Sequence, residues 1–202
     1  MDLPIVDAHQ HFWDPRINYH PWLCDEPPIA FRYGDYSALR RPYLPADYRR
    51  DTAGFEVAGT VYIEAEWSHG AAVAELEYIA GLRRESGLPS VAVAQGWLDR
   101  EDIGEQLARL RAFDFVRGIR HKPGANPSPG DGAPGGMTDP AWRRGFGELA
   151  RQGLRFDLQT PWWHLHEAAA LARDFPTASI IINHTALPAD RSDQGIAAWR
   201  AA

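Results

Sequence analysis

The stretch Ile5-Val6-Asp7-Ala8-His9-Gln10-His11-Phe12 is a short apolar run, partly β-branched, that ends in two histidines one residue apart. In a strand, residues i and i+2 point to the same side, so His9 and His11 converge on one ion or one polar group. Neutral imidazole suits Zn²⁺ and similar divalent metals, and such a site needs one or two further ligands. Asp7 shares the same parity and either buttresses the strand or pairs with a ligand.

Further apolar runs follow at fairly even spacing. They are Thr60-Val61-Tyr62-Ile63, Val91-Ala92-Val93-Ala94, Phe115-Val116-Arg117-Gly118-Ile119, Leu154-Arg155-Phe156-Asp157-Leu158 and Ser179-Ile180-Ile181-Ile182. Near-continuous apolar strands of this kind indicate a parallel sheet covered by helices. Helical stripes lie between them: Val73, Leu76, Ile79 and Ala80; then Ile103, Leu107, Leu110 and Phe113; then Trp142, Phe146 and Leu149; then Leu165, Ala168, Ala172 and Phe175. Asp139-Pro140 supplies an N-cap acid and a proline at the first helical position. Six β/α alternations give an α/β fold, with periodicity alone leaving open sheet and barrel both possible.

Two long connections each follow the C-terminal end of a strand, the face where parallel α/β folds build their sites. Residues 12–46 are rich in Pro, Trp and Tyr; Phe12, Trp13, Tyr19, Trp22, Phe31 and Tyr33 are too aromatic for a disordered segment. Residues 122–138 are dominated by Gly and Pro and read as a mobile loop.

The strand ends hold the other candidates. Asn183-His184 closes the sixth strand, making His184 a third candidate metal ligand beside His9 and His11. Arg120-His121 closes the fourth, and both are candidate catalytic residues. Arg120 either holds a substrate carboxylate bidentately or pairs with a carboxylate such as Asp157. The second strand ends Glu64-Ala65-Glu66-Trp67; its two acids share one strand face and either move a proton, bond a sugar hydroxyl or form structural ion pairs at the rim, with Glu64, beside the apolar strand, the candidate catalytic residue. Gln159, Trp67 and Trp162 are candidate substrate-binding residues. His164 and His166 diverge by about 200° on a helix and do not share a metal.

A net charge of −6, with Lys and Arg scattered, lacks the basic stripe of a nucleic-acid binder. The single cysteine, Cys24, excludes an intramolecular disulfide and suits a reducing compartment. Met1-Asp2-Leu3-Pro4 carries no basic leader and no apolar run approaches a membrane span, so a cytoplasmic protein is expected. There is no Gly-x-Ser-x-Gly elbow, Walker-type loop or dinucleotide fingerprint.

Val6-Asp7-Ala8-His9-Gln10-His11-Phe12-Trp13-Asp14 resembles the start of the amidohydrolase-related hydrolases, in the branch holding sugar-lactone hydrolases and pyrone-dicarboxylate lactonase relatives. Gly118-Ile119-Arg120-His121, Phe156-Asp157-Leu158-Gln159 and Ile182-Asn183-His184 resemble that branch's later strand ends, in order. The resemblance implies a (β/α)8 TIM-type barrel and hydrolysis at a carbonyl centre, often a lactone. A divalent metal, zinc by preference, is implied for some relatives and none for others.

It also implies eight strands, the last supplying a catalytic aspartate, whereas the sequence reaches Trp199-Arg200-Ala201-Ala202 in the helix after strand six. About 250 residues are typical of such a barrel. Residues 1–202 are therefore expected to form a single incomplete domain with about six of eight β/α units, prone to self-association through open edges. The rival readings are a decarboxylase of an aromatic or pyrone acid, and a truncated polypeptide without turnover.

Overall fold

The computed structural model describes residues 3–29, 34–68 and 70–202. Phe31 and Tyr33, two of the aromatics in the first long connection, lie outside them. The chain forms two compact units, one of residues 1–95 with 113–116, the other of residues 96–112 with 117–202.

In the first unit, β1 (Ile5–Gln10), β2 (Val57–Ile63) and β3 (Val91–Gln95) pair in parallel in that order. Helices α1 (Pro21–Cys24), α2 (Pro45–Asp51) and α3 (Ala72–Ser86) belong to the same unit. The periodic stripe is recovered in α3, which buries Leu76 and Ile79. Phe12, just past β1, is fully buried, stacked on Tyr62 of β2 and edge-on to Tyr48 of α2. Burying such a side chain is worth roughly 1.5–3 kcal/mol. In the described part of the connection after β1, Trp13 and Tyr43 form an antiparallel bridge, and the Trp13 indole donates to the carbonyls of Leu39 and Arg41.

In the second unit, β4 (Val116–His121, of which Val116 belongs to the first unit), β5 (Arg155–Leu158) and β6 (Ile180–Ile182) pair in parallel. They alternate with α4 (Ile103–Arg111), α5 (Pro140–Arg151), α6 (Leu165–Asp174) and α7 (Asp193–Ala201). Asp139 caps α5 by accepting the Trp142 amide N–H, as the Asp-Pro pair predicts. Phe156 packs against Trp142 and Phe146, so this side of β5 faces α5. Strand alternation then puts Asp157 on the opposite face. A Cβ at Gly145 would stand 1.8 Å from the Leu98 carbonyl oxygen, so no other residue lets α5 approach that closely. One expected stripe is shifted: α6 buries Ala168 and Leu171, while Ala172 is exposed. Among the described residues no helix is long and apolar enough to cross a membrane.

Candidate active site

In the first unit the end of β1 brings His9 and His11 together, their rings edge to face with centroids 5.0 Å apart. The His11 Nδ1–H donates to the Ile63 carbonyl at 2.7 Å. In the neutral ring that tautomer leaves the Nε2 lone pair as the coordinating atom, the usual arrangement of a metal-binding imidazole with its second nitrogen tied to a carbonyl. Asp7 takes the buttressing role: its Oδ1 accepts the His9 amide N–H at 3.1 Å and its Oδ2 the Tyr48 hydroxyl at 2.9 Å. Burial and the neighbouring Asp7 push the Tyr48 phenol well above its ordinary value.

Glu64 is buried just beyond β2. Its Oε2 accepts the Glu66 amide at 2.8 Å and faces the Gln95 amide nitrogen at 3.4 Å. Glu66 itself adopts a left-handed backbone, with φ of 55°. Trp67 lies edge-on to His20 at 5.5 Å and near Tyr78 at 5.8 Å.

His20 was not among the sequence candidates, yet it is completely buried. Its Nδ1–H donates to the Ala65 carbonyl at 3.0 Å, so two histidines dock on alternate carbonyls of the same segment, Ile63 and Ala65. Burial lowers the pKa of His20 and keeps it neutral, against the upward pull of the Ala65 hydrogen bond and of Glu64 and Asp14. Glu75 of α3, also missed, is buried and accepts the Tyr62 hydroxyl and the Ala65 amide, both at 2.7 Å. Neither residue lies at a strand end: His20 precedes α1 and Glu75 sits in α3.

In the second unit Arg120 and Asp157 are register partners on β4 and β5. Arg120 is buried, and its Nη1 is 3.5 Å from the Gln159 carbonyl oxygen. Burial raises the Asp157 pKa, while the Asn183 amide, donating at 3.1 Å, and the Arg120 charge oppose that rise. Arg120 and Asp157 are thus neighbours across the sheet, and the Arg120 charge acts on the Asp157 carboxyl.

His121 is turned away from that face. Its Nδ1 accepts the Trp142 indole N–H at 3.0 Å and the Leu98 amide at 3.1 Å, and its ring sits between Trp97 and Trp142. This is the environment of a packing residue, since strand alternation gives adjacent Arg120 and His121 opposite faces. His184 also departs from expectation. The chain leaves β6 in a left-handed turn, with φ between 51° and 58° from His184 to Leu187, and His184 is exposed. The buried group at this strand end is its neighbour Asn183. Trp162 is half-buried against Trp163.

No three His, Cys, Asp or Glu side chains among the described residues gather into a group that could hold a metal. The His9–His11 pair nonetheless fits a divalent metal in donor chemistry, supplying two imidazoles, one with its tautomer set by a carbonyl.

Comparison with known proteins agrees with this architecture. The chain is 35% identical over 195 residues to the protein y4mH of Sinorhizobium fredii, covering 94% of this chain and 64% of that protein. It is 27% identical over 200 residues to an L-fucono-1,5-lactonase of Burkholderia ambifaria, covering 98% and 61%. A crystal structure of an amidohydrolase from Burkholderia multivorans, with bound zinc, superposes with a TM-score of 0.70 at 23% identity, over 98% of this chain and 64% of that one. The chain thus spans less than two thirds of the length of these relatives. The amidohydrolase family profile matches residues 6–202, and the chain belongs to the amidohydrolase family, whose (β/α)-barrel architecture its alternating parallel strands and helices follow.

Proposed function

We propose that the chain carries the histidine end of a lactone-hydrolysing site, acting on a small sugar or dicarboxylate lactone. The observation that carries this reading is the His9–His11 pair, with His11 locked to the Ile63 carbonyl in the tautomer that presents Nε2. The lactonase name of the Burkholderia ambifaria relative supports the substrate class. His9 and His11 are the residues that would hold a divalent metal, which when bound supplies a Lewis acid for the lactone carbonyl.

The remaining roles fall to the chain's own groups. Asp7 fixes the His9 backbone, so the imidazole pair is oriented before substrate arrives. Glu64, buried and already accepting one amide N–H, is the proposed proton acceptor on the first unit. Within the second unit, taken by itself, Arg120 is a proposed anchor for a carboxylate, with the Gln159 side-chain oxygen beside its guanidinium. His121 carries no chemical role in this scheme, because its imidazole nitrogen already accepts two N–H donors. Trp67 and Trp162 remain proposed contacts for the apolar faces of the substrate.

The experiment is a hydrolysis assay on a panel of sugar 1,5-lactones and pyrone dicarboxylate, run beside a carbon dioxide assay on hydroxybenzoic acids. It uses the 202-residue chain joined to the part of the Burkholderia ambifaria relative that lies outside the matched region. Acid release from at least one lactone, reduced ~10²-fold or more by Glu64→Gln, is expected. Carbon dioxide release without lactone hydrolysis would replace this reading with that of a decarboxylase.

A further inference from the structure

The Gly- and Pro-rich segment 122–138 leaves β4 directly after Arg120-His121, and its composition suggests a mobile loop. Two buried side chains from the start of α6 hold it instead. His164 is 2% and Glu167 4% exposed, and the His164 Nδ1–H donates to Glu167 Oε1 at 3.0 Å. The other His164 nitrogen, Nε2, accepts the Asn126 amide N–H at 3.1 Å, while Glu167 Oε1 also accepts the Gly135 amide N–H at 2.6 Å. The Trp163 indole donates to the Asn126 carbonyl at 3.2 Å. One histidine–glutamate pair therefore grips the segment at two points nine residues apart. The segment also closes on itself: the Asn126 side chain donates to the Ala133 carbonyl, and the Gly136 amide to the Gly124 carbonyl at 2.8 Å.

The fit requires glycine. A Cβ on Gly135 would stand 2.7 Å from His164 Nδ1, 2.8 Å from its Cε1 and 2.9 Å from Glu167 Oε2. The Gly135 backbone is extended, with φ of −87°, so the requirement is one of space and not of backbone conformation. Helical geometry keeps His164 and His166 from sharing a metal, and nothing in the proposed chemistry uses His164 or Glu167. A buried carboxylate bonded to a loop amide and a buried imidazole is costly unless those bonds are made. The pair is therefore itself stabilised by the segment it holds.

We propose that His164 and Glu167 form a latch that fixes segment 122–138 in one conformation, making it a preformed strap over the end of β4 and not a free loop. The latch does not depend on the lactonase reading, and its test needs no substrate. Amide hydrogen exchange at Asn126 and Gly135 reads the two grips directly. In the native chain both amides should be protected. Glu167→Ala should raise the exchange of Gly135 by about tenfold or more, the worth of one hydrogen bond to a charged group. Glu167→Gln should restore most of the protection, because its amide oxygen still accepts the N–H.

Gly135→Ala tests the same contact by crowding alone and leaves both side chains of the pair in place. The amides of Ile119 and Arg120 in β4 report whether each variant remains folded. Loss of protection at Asn126 and Gly135 in Gly135→Ala, with β4 unchanged, supports the latch even if Glu167→Ala does not fold. Fast exchange of both amides in the native chain, or protection unaltered in Glu167→Ala and Gly135→Ala, would overturn it.

Discussion

At the scale of single residues, two histidines share one device and differ in setting. His11 and His20 each tie Nδ1 to a carbonyl of the same segment, Ile63 and Ala65, but His20 is fully buried and His11 is half-buried at the strand end. Burial depresses the His20 pKa below the ordinary value of about 6.5. As pH falls, the unfolded chain takes up this proton before the folded chain does, so His20 contributes stability that is complete above the ordinary histidine value. That contribution is lost as pH falls from there toward the depressed folded value.

Urea midpoints at pH 7.5 and 5.5 should therefore fall toward acid in the native chain and fall less in His20→Gln; an identical drop in both would refute the assignment. The His9-x-His11 pair was legible because strand parity alone brings it together. His20 was not, because its burial arises from contacts to Ala65 and Trp67, 45 and 47 positions away, which no local pattern encodes.

At the scale of elements, the strands and helices were readable wherever a period or a cap was strong. The sequence run Val91–Ala94 became β3 almost unchanged, and Asp139-Pro140 opened α5 as its chemistry dictates. Asp139→Ala removes the side-chain oxygen that accepts the Trp142 amide, and should lower stability by about 1 kcal/mol in denaturant titration. Phe146→Ala, by contrast, empties a fully buried site among Trp142, Phe156 and Phe175, and should cost roughly 3–5 kcal/mol. Equal effects from the two substitutions would contradict this division between cap and core.

Strand ends were less legible than strand bodies. The run Ser179–Ile182 announces β6 but not the left-handed turn that follows, which exposes His184 and leaves Asn183 buried against Asp157. Non-glycine residues in that conformation carry strain of order 1–2 kcal/mol each, and only tertiary contacts hold them there. One such contact is the Trp199 indole of α7, which donates to the Thr185 carbonyl at 2.7 Å. His121 illustrates the same limit, since the alternation that favours Arg120 sends its neighbour toward Trp142.

At the scale of the whole molecule, apolar side chains are exposed on β1 of the first unit and on β6 of the second. Ile5 and Val6 of β1 are 40% and 64% exposed, and Ile181 and Ile182 of β6 are 43% and 48% exposed. Exposed apolar strand residues favour association. The 202-residue chain should sediment as oligomers, and Val6→Lys with Ile182→Lys should shift it toward the monomer; a monodisperse native monomer would argue against this.

In our proposal His9 and His11 are the metal-holding residues of an amidohydrolase site. Elemental analysis of the purified chain after zinc loading and desalting tests it most directly, comparing the native sequence with His9→Ala, His11→Ala and, as a control at an exposed histidine, His166→Ala. We expect about one zinc per chain in the native protein and in His166→Ala, and near-complete loss in His9→Ala and His11→Ala. Zinc retained equally in all four proteins would contradict it.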